Sequence, residues 1–133
     1  MMYAVNRIPN KRRHRSTVRN GHIATYTDVK TAADEQAVRD AYKGECFDCA
    51  VRVVVHTFKA LPKSRPKRIE RERDTTKPDI DNVLKAVLDA LNGVAYKDDS
   101  QVVEVRVVKH DRTRKQGDSI RFEVEPVPEN ELV

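Results

Sequence analysis

The chain has 133 residues, 26 Lys and Arg against 21 Asp and Glu, a net charge of +5, and 5% aromatic residues with no Trp. That length suits one domain with one real core, and so few aromatics argue against recognition built on stacked bases. No apolar run approaches the roughly 20 residues of a membrane span. The basic N-terminus has no apolar stretch behind it, so no secretory signal is expected and a cytoplasmic protein is.

Residues 1–27 form a basic N-terminal segment. A short extended piece, Met2 to Ile8, leads into Lys11, Arg12, Arg13, Arg15 and Arg19, and Gly21 to Tyr26 reads as another. The spacing of Ala33, Ala37, Val38 and Ala41 predicts a helix over Thr31 to Lys43, closed by Gly44. Cys49 to Lys59 is valine-dense, with Val51, Val53 and Val55 on one side of a strand. Cys46 and Cys49 precede it. Zinc would need two further ligands, and His14, His22, His56 and His110 are scattered. Ordinary reduced cysteines at a strand entrance are expected.

Residues 61–77 form a long basic connector with Lys63, Arg65, Lys67, Arg68, Arg71, Arg73 and Lys77, interrupted by Glu70, Glu72 and Asp74. A loop of this length is usually functional or disordered. Pro78 to Leu91 is the clearest helix, with Ile80, Val83, Leu84, Val87, Leu88 and Leu91 as an apolar stripe and Asn92-Gly93 as the stop. A strand follows from Gln101 to His110, where Val103, Val105 and Val107 alternate with Glu104 and Arg106. After a basic turn, Arg112 to Gly117, a last strand turns Ile120, Phe122 and Val124 inward, and residues 126–133 read as a tail. These elements predict a single α+β domain, a mixed sheet of about four strands with two helices packed on it.

The chemistry concentrates between Lys77 and Gln101. Asp79 and Asp81 open the helix, Lys85 lies a turn beyond, and Asp98-Asp99 follows the next loop. Asp79 alone reads as a helix cap. The pair is different, because two close carboxylates repel unless a cation intervenes. A Mg²⁺ ion shared by Asp79, Asp81 and Asp99 would remove that repulsion and create a Lewis acid. Lys85 either pairs with Asp81 at i, i+4 or sits over a scissile phosphate. Asp89 reads as a solvated or pairing residue, and Asn82 and Gln101 are candidates to hold ligating carboxylates by hydrogen bonds. An EF-hand fails because Val83 and Leu84 occupy positions that need oxygen and glycine. No glycine-rich phosphate loop exists, so no nucleotide cofactor is expected.

The stretch K-P-D-I-D-N-V-L-K-A-V-L-D-A-L-N-G-V-A-Y-K-D-D-S-Q-V resembles the RusA family of Holliday junction resolvases. D-x-D-N, the lysine, D-A-L-N-G and D-D-x-Q keep the family's order and spacing. The resemblance implies a homodimeric endodeoxyribonuclease of recombination and repair, common in bacteria and their prophages. It would nick four-way DNA junctions symmetrically with Mg²⁺, Mn²⁺ being the alternative, and leave 5′-phosphates. The metal-binding aspartates map onto Asp79, Asp81 and Asp99, and the catalytic lysine onto Lys85. Asp98 leaves the third ligand open by one residue. Phosphate contacts are expected from the acid-free run Lys11, Arg12, Arg13, Arg15 and Arg19, from Lys67, Arg68, Arg71, Arg73 and Lys77, and from Lys109 to Lys115. Two other readings are a non-catalytic nucleic-acid-binding protein and a metal-dependent phosphohydrolase of a small substrate.

Overall fold

A computed structural model describes residues 1–12, 15–19, 21–26 and 28–131, without the side chains of 15–17, 19 and 22–26. Its centre is a mixed sheet of four strands: β1 (Tyr3–Val5), β4 (Val51–Phe58), β6 (Val102–Lys109) and β8 (Ser119–Pro126), in the order β1-β8-β4-β6. β8 runs antiparallel to β1 and β4, whereas β4 and β6 are parallel. Helices α1 (Val29–Ala41) and α2 (Ile80–Leu91) pack on each other and against the sheet, so the α+β expectation is met. β4 alternates buried and half-buried along its length, and Val51, Val53 and Val55 meet Val83, Val87, Ile120 and Phe122 in the core. Fully burying each such side chain stabilises by about 1.5–3 kcal/mol.

Two short ribbons flank the sheet. β2 (Arg15–Arg19) and β3 (His22–Tyr26) form a hairpin whose Gly21 adopts φ +79°, a backbone region that favours glycine. β5 (Arg71–Glu72) pairs with β7 (Arg112–Thr113), so part of the expected loop 61–77 and of the expected turn 112–117 is ladder. The alternating charges of this region find partners: Arg65 and Arg112 meet Glu72, and Arg71 and Arg73 meet Asp111. Arg114 also donates to the carbonyls of Arg65, Pro66 and Ile69.

Several element bounds move for local reasons. α1 starts at Val29 rather than Thr31, because the Asp28 carboxylate caps the N–H groups of Lys30 and Thr31; it ends at Ala41, two residues before Lys43, with Tyr42 as its C-cap. α2 starts after Asp79, which takes the N-cap position, leaving Pro78 outside the helix. Its buried side is Val83, Ala86, Val87, Ala90 and Leu91, while Leu84 and Leu88 are half-buried and Ile80 is 45% exposed. The stripe is therefore rotated from the expected one, toward the small, fully buried Ala86 and Ala90. Along β6 a register shift leaves Val103 outside the pairing of Val51 with Val102 and Arg52 with Glu104. The region expected as a tail begins as strand, and Glu131 reaches Arg52, where Glu104 and Glu125 also bind. Residues 132–133 lie outside the described residues. No described helix is long and apolar enough to cross a membrane.

The N-terminal strap crosses both helices. Asp34, 6% exposed, accepts from the Arg7 and Arg12 guanidinium groups and from the Asn10 N–H. Lys11 bridges Glu35 of α1, at 2.7 Å, to Asp89 of α2, at 3.0 Å. Burial lowers the Lys11 pKa, but hydrogen bonds to these carboxylates outweigh it and hold the ammonium above its usual value. Replacing Asp34 with Ala leaves two guanidinium groups and an N–H without their acceptor. The expected loss is about 2–3 kcal/mol of folding free energy, read from urea unfolding.

On the sheet side away from the helices, His56 Nδ1 lies 2.8 Å from His110 Nε2, and Phe58 stacks on His110. Burial, then the charges of His110 and Arg106, push the His56 pKa below that of a free imidazole. Its contribution to stability is complete above about pH 6.5, the unfolded value, and is lost as pH falls through the lower folded value. Urea midpoints measured from pH 7.5 to 5 should fall in the wild type and fall less in His56→Gln.

Candidate active site

The head of α2 presents Asp79, Asp81 and Lys85 to solvent. Asp79 holds the N-cap position, yet its carboxylate makes no capping hydrogen bond; Oδ2 takes Lys77 Nζ at 3.0 Å instead. The plain cap reading of Asp79 is thus not met, and its oxygens remain available outside the helix. Asp81 lies in the first turn, where the exposed N–H groups favour a negative charge. Its carboxylate has no hydrogen-bond or ion-pair partner among the described residues, and Lys85 does not pair with it. Asp89 is taken up by Lys11.

The segment that leads into Asp79 is held from beneath. Lys59, just past β4, donates to Thr76 Oγ1 at 2.9 Å and to the Lys77 carbonyl. Lys109, the last residue of β6, donates to the carbonyls of Thr76 at 2.6 Å and Pro78 at 3.1 Å. Asp74 accepts from the Thr76 N–H and hydroxyl. Neither lysine was distinguishable in the sequence, where each is one more cation at a strand end. A cleft of about 510 Å³ borders Pro78 and includes Arg7, Arg12, Lys30 and Lys59 in its wall.

The second acidic pair is built differently. Asp98 caps the short turn Asp99–Gln101, its carboxylate accepting from the Ser100 N–H and hydroxyl. The Ser100 hydroxyl bond, then the backbone bond, lowers the Asp98 pKa. Gln101 reciprocates, its Oε1 accepting from the Lys97 and Asp98 N–H groups while Nε2 donates to the carbonyls of Phe47 and Cys49. Gln101 is therefore a fastener between the Cys46–Cys49 loop and this turn, and Asn82 contributes its carbonyl to Lys11 N–H. Cys46 and Cys49 are free thiols, both exposed. The Asp99 carboxylate has no hydrogen-bond or ion-pair partner among the described residues.

Asp99 does not join Asp79 and Asp81 within one chain. β4 and β6 are parallel and α2 connects them, so the head of α2 sits by Lys109 at the end of β6, whereas Asp99 precedes the start of β6. Eight strand residues advance about 26 Å, and the twelve of α2 about 18 Å. Tyr96, beside Asp99, instead reaches the Leu88 carbonyl near the tail of α2. Burial, with the charges of Asp99 and Asp89, raises the Tyr96 pKa. Among the described residues no group of three His, Cys, Asp or Glu is arranged to hold a metal ion. The three carboxylates expected to share one ion therefore do not converge within the chain among the described residues.

The expected phosphate-contacting cations differ in their surroundings. Lys11 and Arg12 are paired with Asp89, Glu35 and Asp34. Arg13 lies outside the described residues, and Arg15 and Arg19 are placed on β2 without described side chains. Lys67 and Arg68 are exposed and have no ion-pair partner among the described residues. Arg71, Arg73 and Lys77 are exposed and reach Asp111 or Asp79.

The family model for endodeoxyribonuclease RusA matches residues 7–125, nearly the whole chain and every residue of the acidic motif. The chain is also similar to YqaN, an uncharacterized protein of Bacillus subtilis strain 168, with 37% identity over 109 residues, covering 73% of this chain and 77% of that one. With the D-x-D-N helix, the lysine and the acidic turn in place, the chain belongs to the RusA family of endodeoxyribonucleases, hydrolytic enzymes that act on Holliday junctions.

Proposed function

We propose that this protein resolves four-way DNA junctions as a homodimer in which each active site takes Asp79, Asp81 and Lys85 from one chain and Asp99 from the other. The observation that carries the reading is the position of Asp99 at the far end of β6 from Asp79. β6 is an edge strand, with Val103 55% and Val105 44% exposed. An unpaired, valine-rich edge is a template for a further strand. Antiparallel pairing of β6 with its copy about Val105 sets Glu104 across from the second copy's Arg106. It also sets Asp99 across from Asp111, just beyond Lys109 and its grip on Pro78. Arg106 has no acid within ion-pair distance among the described residues. The pairing is self-complementary, as a two-fold interface requires.

The donor set suits Mg²⁺ or Mn²⁺, both of which take carboxylate oxygens. Asp79 and Asp81 supply two donors at the helix head, and Asp99, without a partner among the described residues, supplies the third. A divalent cation bound there supplies Lewis-acid stabilisation of phosphate charge and a more acidic water. Lys85, one turn beyond Asp81, neutralises charge that develops on the scissile phosphate. Asp98 is occupied by its cap, which favours Asp99 as the ligand. The two sites of the dimer match the two strands to be cut, and cleavage on the 3′-oxygen side leaves a ligatable 5′-phosphate. Lys67, Arg68, Arg71, Arg73 and Lys77, with Arg13, Arg15 and Arg19, carry the phosphate contacts; Lys11 and Arg12 join them only by exchanging internal carboxylates.

Asp81→Asn and Asp99→Asn should each abolish metal-dependent nicking of a four-way junction while junction binding in EDTA persists. Mixed and allowed to exchange subunits, the two inactive variants should regain single-strand nicking, because one site in each mixed dimer is wholly wild type. A site assembled within one chain gives no recovery, and Asp98→Asn should still cut. Binding without cutting by the wild type supports the non-catalytic reading, and turnover of a small phosphate ester without action on DNA supports the third. Junction affinity in a gel-shift titration should fall on the order of a thousandfold between 50 and 200 mM salt if about six phosphates are neutralised. A flat response counts against phosphate-led binding.

A further inference from the structure

We propose that Lys59 and Lys109 are positioning residues that aim the Asp79 carboxylate by clamping the backbone immediately before it. The proposal rests on the reading of Asp79 as a metal ligand. The two lysines come from the carboxyl ends of the parallel strands that α2 joins, the end at which open α/β units place their ligands. Between them they make four hydrogen bonds, to Thr76 Oγ1 and to the carbonyls of Thr76, Lys77 and Pro78. Three successive carbonyls are thus fixed, and the next residue is Asp79. The Thr76 hydroxyl passes the restraint on, accepting from Lys59 and donating to Asp74 at 2.6 Å.

Both lysines are only half-exposed, and neither has a carboxylate within ion-pair distance among the described residues. Half-burying an ammonium without a counter-charge is costly, and neutral donors would satisfy carbonyls as well. Two positive charges beneath Asp79 have a further effect: they favour a nearby phosphate. Asp79 gains no restraint from a capping bond, so beyond its ion pair with Lys77 its direction follows the backbone that the two lysines hold. Groups that orient metal ligands in this way are worth about 10- to 100-fold in metal affinity.

The test uses the full chain carrying Lys59→Met, Lys109→Met, both, or Lys109→Arg, with Val55→Ala as a control for general destabilisation. Mn²⁺ binding is counted from the free-ion signal in electron paramagnetic resonance, and amide exchange over residues 74–82 is followed by mass spectrometry. Each Met variant should bind Mn²⁺ about tenfold more weakly and lose exchange protection across 76–81. Lys109→Arg, which keeps two donors and the charge, should recover most of both, and Val55→Ala should change neither selectively. Should the double variant fail to fold, the single variants decide. Unchanged Mn²⁺ affinity in folded Met variants overturns the clamp, as does an equal loss in Val55→Ala or a wild type that binds no Mn²⁺. A wild type that binds Mn²⁺ and shows the clamp effect but leaves junctions uncut overturns the junction reading alone.

Discussion

The parallel pairing of β4 with β6 constrains everything else in this molecule. Parallel neighbours need a crossover, and α2 provides it, so the helix must begin where the strands end. That places Asp79 and Asp81 at one pole of the unit and the turn carrying Asp99 at the other. Side-chain rotation covers a few ångströms, whereas the strand between the poles advances about 26 Å. No rearrangement short of unpairing the sheet closes that gap. The same crossover leaves β6 without an outer neighbour, so the topology that separates the acids also exposes the surface through which a second chain could reunite them.

The two acidic turns differ in how they treat their carboxylates. In the turn before β6, Asp98 is consumed by the Ser100 N–H and hydroxyl and Gln101 locks the geometry, leaving Asp99 the member of the pair without a partner among the described residues. At the helix head the N-cap residue declines the capping role, and restraint comes instead from lysines on the strands below. In both places a neighbour bears the structural burden so that one carboxylate keeps its oxygens outward. Held groups of this kind lose less freedom when a ligand arrives, which is how preorganisation raises affinity.

Local signals carried much of this architecture in readable form. Alternating valines marked β4, helical spacing and Asn92-Gly93 marked α2, and the acidic motif identified the family. Three things were not legible, each because it depends on contacts distant in sequence. The buried side of α2 includes Ala86 and Ala90 and leaves Ile80 exposed, a choice set by tertiary packing and not by side-chain bulk. The charges of 61–77 looked like a solvated loop, but Asp111, Arg112 and Arg114, forty or so residues onward, organise them. The distance between Asp99 and Asp79 follows from strand direction, which no spacing along the chain records. The hairpin of β2 and β3 was a different case, since Asn20-Gly21 is a turn signal available to a sequence reader.

The Lys11 bridge has a consequence for how strongly this protein can feel an electrolyte. An ammonium already matched by Glu35 and Asp89 carries no condensed anions of its own and displaces none of the cations around a phosphate unless it first abandons α1 and α2. Arg12, matched by Asp34, is in the same position. The thermodynamic response to ionic strength counts only charges that trade small ions on association. A tally of basic residues therefore overstates that response, and the N-terminal strap contributes chiefly to holding two helices together.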